Sequence, residues 1–382
     1  MRSTCVSLII ALAAMQPAYG QAVAQVTPLS GPQVLNHQFT QVGGVFELRD
    51  GRILVSDRKD ETVLVADLAT GRTQPVGRKG SGPEEYRMPG RLSRWRGDSI
   101  MLNDQGNARI AIIGPDLRIH RSFSLSVPGL PTTVAPRGID THGRMYAQVP
   151  RWAASSIYGV HGDSAPIVRV TRPGQPAEVV TWVLLQADPG PVKKGLPYVP
   201  FSPEDVWNFS PDGRLAVARS NDYHIEWIDA EGRKTRGPAN AFLKIPVAQI
   251  DKIAYTRRFM ENSTIGGRGS GASMPSGESP VPPEMLETRA IEEMARVNPF
   301  APLKPPFTDA MPLIAPNGEL WVERSVSATV APLWDVFDAS GLLVRRYQAP
   351  NGRRLVALGR ESVYAVVQDA DGLEKIERYR LR

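Results

Sequence analysis

The chain has 382 residues, a hydrophobic fraction of 42%, and 34 each of glycine and proline, a composition that favours many turns over long helices. Its 45 basic residues stand against 39 acidic ones, a net charge of +6 spread along the whole length. That mild balance speaks for a solvated surface rather than for a dedicated nucleic-acid or membrane patch.

The first elements read as a leader. Arg2 supplies a positive start, Val6 to Met15 is an apolar run broken only by Ser7, and Ala18-Tyr19-Gly20 offers small residues for cleavage ahead of Gln21. Ala22-Val23-Ala24 is a second cleavage site. The run is shorter than the ~20 apolar residues that span a bilayer, so residues 1–20 are expected to be a secretory signal peptide. Cys5, the single cysteine, falls inside that segment and ahead of its apolar run. The mature chain is therefore expected to lack a thiol nucleophile, a thiolate metal site and disulfides. A periplasmic or extracellular location is expected in turn, which argues against nucleic acid. No later run is long enough for a transmembrane segment.

From Phe46 onward the chain repeats itself. Phe46-Glu47-Leu48, the turn at Asp50-Gly51 and Arg52 to Asp57 make a hairpin, because glycine takes positive φ without strain. Thr62 to Asp67, the turn ending at Gly71 and Arg72 to Val76 add two more strands. Four hairpin-linked strands are the content of one propeller blade. The first-turn glycines Gly51, Gly97, Gly143, Gly213, Gly318 and Gly359 stand 46, 46, 70, 105 and 41 residues apart. Three spacings match the ~40–45 residues of a four-stranded blade, and the two long ones are a period plus an insertion. The last unit ends after its third strand, Leu373 to Arg380. Its outer strand is expected from Val34 to Val42, which would close the ring and remove exposed edges. The predicted fold is all-β, a six-bladed β-propeller over 21–382.

With these residues in hand a resemblance appears. Gly77 to Pro89, with its glycines, Tyr86 and Pro89, resembles the opening of an NHL repeat. Leu102-Asn103-Asp104 looks like that family's strand ending in Asp, and Asn107-Ala108-Arg109-Ile110 looks like its Asn-x-Arg-Ile run. Ser210 to Leu215 is similar to the repeats of TolB-like propellers. The resemblance implies the architecture over most of the mature chain. It also implies two activities, since such propellers include binding proteins and lactonases or other hydrolases.

The insertions interrupt the repeats in two places. Residues 185–205 read as a Pro/Gly/Lys-rich loop. Residues 241–307, between the fourth and fifth blades, hold a predicted amphipathic helix over Val247–Asn262 with Ile250, Ile253, Ala254 and Phe259 as its apolar side. A Gly/Ser-rich linker is predicted over Gly266–Pro280. A second helix from Pro282-Pro283 to Val297 shows Met285, Leu286, Ile291 and Met294. The pair reads as a lid, a docking surface or a packing pad.

The search for chemistry returns few candidates. The five histidines, His37, His120, His142, His161 and His224, show no metal-ligand spacing, and no nucleophile elbow or phosphate loop is present. Asp57, Asp67, Asp104 and Asp229 stand at strand ends. In a lactonase-like propeller such carboxylates hold a divalent cation, and Asp57 and Asp104 are the metal candidates. The plain alternative is a turn carboxylate that binds loop amides. No cofactor is otherwise implied. Arg87, Arg91, Arg94 and Arg96 with Trp95 form the densest basic cluster, and Arg87, Arg91, Arg94 and Trp95 are the ligand candidates. Two readings stay open. One is a binding scaffold for a ligand or for a protein or glycan partner; the other is a metal-dependent hydrolase using the channel.

Overall fold

Each blade begins at a hairpin that glycine makes easily. Gly51, Gly97, Gly143, Gly213 and Gly318 have φ of 86°, 59°, 89°, 88° and 86°, where a Cβ is strained. Gly359 serves the same turn through close approach instead, since a Cβ there would lie 1.9 Å from Glu47 Oε2. The computed structural model describes residues 25–127, 130–131, 134, 136–160, 162–171, 175–190, 196–265 and 283–381. The expected signal peptide, His161, the turn Arg172-Pro173-Gly174 and the linker Gly266–Pro280 lie outside the described residues.

Among the described residues the blades are six sheets in sequence order, each with four antiparallel strands, and a short parallel pair of Arg78–Lys79 with Glu85–Tyr86 lies outside them. Their innermost strands are Val42–Glu47, Pro89–Arg94, Gly138–Ile139, Val206–Phe209, Leu313–Ile314 and Arg353–Leu358. A separate core fills each gap between neighbouring blades. Val55 and Tyr364 meet between the first and the last, Leu54 and Leu102 between the first and second, and Met101 and Ile139 between the second and third. Tyr146 and Leu215, Ile225 and Leu320, and Val336 and Val363 fill the other three. Six interfaces for six blades mean a closed ring. The protein is a six-bladed β-propeller.

The closing strand is shorter than the sequence suggests. Gln33–Val34 pairs with Arg378 and Glu377 of the last blade, and Phe39 bridges to Glu374. Val42 does not extend this strand, because it starts the innermost strand of the first blade, but its N–H still ties to the last blade through the Glu374 carboxylate at 2.6 Å. A second N-terminal segment was not foreseen: Val26–Pro28 runs parallel to Leu343–Gln348 as a fifth strand on the fifth blade.

The third blade also differs. Helix α1, Arg151–Tyr158, sits between its second and third strands, so the long spacing there has two sources, α1 and the 185–205 connection. The larger insertion holds α2, Gln249–Ile265, and α3, Pro283–Val297. The buried face of α2 is not the one predicted. Ile250 is 50% exposed, whereas Asp251, Tyr255 and Thr256 are buried. A buried salt bridge lies on its inward side, with Lys304 Nζ donating to Asp251 Oδ1 at 2.8 Å. In α3, Ile291 and Ala295 are buried and Met294 is half-buried.

Candidate functional site

The innermost strands enclose a funnel of about 800 Å³, within the usual size of a ligand pocket. Its mouth is formed by first-turn residues such as Arg49, Asp212, Gly318 and Arg360, so it opens on the face of the inner hairpins. Its floor is formed by Arg91 and Met311, nearer the start of their strands. Connections from an outer strand to the next inner strand emerge on the opposite face. Both the 185–205 connection and the insertion carrying α2 and α3 are of that kind, so the helices join the ring on that opposite face.

Among the described residues the funnel wall carries Arg49, Arg91, Arg94, Arg214 and Arg360 against Glu47 and Asp212 as carboxylates. Some of this charge is paired. Arg49 meets Asp98, and Glu47 accepts from Tyr364 at 2.7 Å and faces Arg360 at 3.6 Å. Arg94 lies over the Phe46 ring and Arg214 over Trp227, cation–π contacts that leave the positive charge uncancelled. Arg214 Nε is buried without a hydrogen-bond partner among the described residues.

At the floor, Arg91 Nη1 donates to Met311 Sδ at 2.7 Å and Nη2 to the Arg137 carbonyl at 2.6 Å. Arg137 in turn donates to the Trp207 carbonyl and stacks 3.8 Å from the Trp207 ring centre. Burial pulls the Arg91 guanidinium down to about 10, and burial with repulsion from Arg91 pulls Arg137 down to about 9. Both stay charged at neutral pH, because the guanidinium delocalises its charge.

Of the four ligand candidates, Arg91 and Arg94 reach the funnel. Arg87 is exposed on the opposite side, its backbone N–H donating to Asp104 at 2.7 Å. Trp95 is buried in the core between the second and third blades, against Phe123. Sequence reasoning missed Arg137, yet a signal was there. Arg91 and Arg137 each stand six residues before their blade's turn glycine, Gly97 and Gly143, so the repeat places them at one register.

The metal candidates are buried but committed. Asp57 accepts from the backbone N–H groups of Thr40, Gln41, Lys59 and Asp60. Asp104 accepts from the Arg87 N–H, Asn107 Nδ2 and Arg109 Nε at 2.7 to 2.9 Å. Each thus serves its own blade's loop, and among the described residues no group of three or more His, Cys, Asp or Glu is placed to hold a metal.

A second polar cluster lies beneath α2. Arg258 pairs with Asp309 at 2.9 Å. Burial pushes Glu204 up to about 8, with Asp309 adding to it and a hydrogen bond from Gln186 opposing it. Burial also raises Glu323.

No family model matches the chain, and no curated protein matches it. Solved structures do align with it. Regucalcin, a calcium-binding protein from Agrobacterium tumefaciens, is 13% identical with a TM-score of 0.42, over 94% of this chain and 98% of that one. A gluconolactonase from Xanthomonas campestris is 13% identical with a TM-score of 0.43, over 92% and 90%. Virginiamycin B lyase from Staphylococcus aureus is 12% identical with a TM-score of 0.41, over 92% and 99%. These are likenesses of chain course and say nothing of what this chain binds.

Proposed function

We propose that the chain is an exported ligand-binding propeller of the cell envelope or the extracellular space, and that its ligand occupies the funnel on the face of the inner hairpins. The observation that carries this reading is the funnel itself, about 800 Å³ in size with five arginines against two carboxylates on its wall. A concave site with an apolar body and a few polar groups of one sign is what selects an anionic ligand. The hydrolase reading draws on Asp57 and Asp104, whose oxygens already serve loop amides and neighbouring side chains. Among the described residues, no helix is long and apolar enough to cross a membrane. Export rests on Arg2, the Val6–Met15 run and Ala18-Tyr19-Gly20.

Two measurements test the reading. Mass spectrometry of the protein from its native host is expected to find a mature start near Gln21 or Gln25, and an intact Met1 on cytoplasmic protein would refute export. Ser93 lines the funnel, and Ser93→Trp is expected to obstruct it beside Arg91 and Arg94. A thermal-shift screen of anionic small molecules should give hits on the wild type that this variant loses. Hits that persist in Ser93→Trp would place the ligand elsewhere.

A further inference from the structure

We infer that Arg91 at the funnel floor, with the Arg137 charge behind it, is the seat for one terminal anionic group, a carboxylate or a phosphate, on an elongated ligand whose apolar body lies along the funnel wall. This rests on the funnel being the binding site and adds the ligand's chemistry and orientation.

Half-buried arginines of the blades are held in two ways. Some face carboxylates: Arg109 faces Asp104, Arg144 faces Asp140, Arg219 faces Asp205 and Glu226, and Arg324 and Arg346 share Asp335. Others meet neutral groups, as Arg58 does at Gln105 and Arg94 and Arg214 do at aromatic faces. Among the described residues, Arg91 and Arg137 donate to two carbonyls and a thioether, all neutral acceptors. A buried charge without a partner is costly, because neutral acceptors only partly replace the water it has lost. Their lowered proton affinities are the same fact in another form. Each guanidinium carries five N–H donors in a fixed fork, so most of their donor capacity is uncommitted. A planar carboxylate or a phosphate matches that fork bidentately.

The wall above the seat fixes the rest of the ligand. Leu92, Ile139, Phe209, Leu313, Val356 and Ala357 line it. An apolar chain or ring system is therefore favoured between the seat and the rim. Arg94 and Arg214 lie further along the same wall, with their charges over aromatic faces.

The test is isothermal titration calorimetry of the full mature chain with sodium octanoate, octyl phosphate, inorganic phosphate and octanol. Octanoate or octyl phosphate is expected to bind, and the tighter of the two assigns the head group. Inorganic phosphate alone is expected to bind at least tenfold more weakly, and octanol more weakly still. Arg91→Met and Arg137→Met are each expected to weaken the octyl anion at least tenfold. Should either fail to fold, Arg91→Lys, which keeps a cation and loses the fork, is expected to weaken it several-fold. Unchanged affinity in these variants overturns the seat and leaves the funnel reading standing, provided Ser93→Trp still abolishes binding. Octanol bound as tightly as octanoate overturns the anionic head. Binding that ignores Ser93→Trp overturns the funnel reading, and the seat with it. No binding of either octyl anion to the wild type overturns the inferred ligand class.

Discussion

Arg91 Nη1 lies 2.7 Å from Met311 Sδ, a contact that reaches from the second blade to the entry of the fifth, three places round a ring of six. A thioether is a weak acceptor, so this contact shapes the funnel floor without cancelling the charge that it holds. Arg91 is thus expected to lower stability rather than to provide it. Arg91→Met should unfold in urea within about 1 kcal/mol of the wild type, or above it, since the change removes an unpaired buried charge and leaves a side chain of similar length. A loss of about 3 kcal/mol or more would make Arg91 a structural tie between blades.

The same residue shows how far the sequence could be read. Arg91 stood out because three other arginines lie near it in the chain, but proximity in sequence did not separate it from Arg87, which is exposed, or from Trp95, which is core. Side chains alternate along a strand, so neighbours in a basic run face different surroundings. The blades were legible because their turn glycines are local signals with a steric cause. The strand Val26–Pro28 was not, since a short parallel pairing with residues over 300 positions away leaves no local pattern. Nor was the buried face of α2. Hydrophobic spacing pointed to Ile250 and Ile253, while the inward side carries a polar contact, between Asp251 and Lys304.

The ring closes on a few residues, and this makes a sharp prediction. Phe39 exchanges backbone hydrogen bonds with Glu374 at 2.7 and 2.8 Å, and its ring is 2% exposed in the core between the last and first blades. Phe39→Ala is expected to lower stability by about 3–5 kcal/mol. A deletion of 31–39 should lower the melting temperature further, because the last blade then loses its outer strand. A deletion variant that melts with the wild type would show that the latch does not hold the ring.

Asp335 is a carboxylate shared by three side chains from two blades. It is fully buried and accepts from Tyr223 at 2.5 Å, Arg324 at 3.1 Å and Arg346 at 2.6 Å. Asp335→Asn leaves two buried guanidiniums without a counter-charge, and is expected to cost about 3–5 kcal/mol in chemical denaturation. A loss under about 1 kcal/mol would mean that water compensates both arginines.

The cluster beneath α2 predicts a pH dependence. Glu204 in the fold is raised to about 8 by burial, then by Asp309 and Asp205, against the hydrogen bond from Gln186. Its ordinary value is 4.5, so the folded state holds a proton between those values that the unfolded state releases. The contribution to stability is therefore complete below about 4.5 and is lost as pH rises through about 8. Glu323, raised by burial, acts in the same direction, while Arg258 opposes it there. Glu204→Gln is expected to flatten the fall in melting temperature between about pH 5 and about pH 9. An unchanged slope would remove Glu204 as its source.

The insertion gives the last prediction, which turns on the difference between removing one charge and removing two. The neck of the insertion is closed, with Lys304 N donating to the Ile245 carbonyl at 2.8 Å and Pro246 bridging to Leu303. Residues on either side of the cut thus already lie together, and a short Gly/Ser linker in place of 245–304 would need little loop-closure entropy. Inside the neck, Asp251 and Lys304 form a pair that is 1% and 5% exposed at its side chains. Burial pushes the Asp251 carboxyl up, but Lys304 and the backbone N–H groups of Ala248 and Ala328 overrule it and hold the group below its ordinary value. Lys304→Met strands that carboxylate in the interior and is expected to cost about 3–5 kcal/mol. Replacing 245–304 removes both charges at once, so the remaining blades are expected to melt cooperatively with β-type circular dichroism, although Leu196 and Phe201 lose their cover. The larger excision should therefore leave a better-folded blade ring than the single substitution leaves of the whole chain. A linker variant without a cooperative transition would show that α2 and α3 belong to the core of the propeller rather than standing outside it.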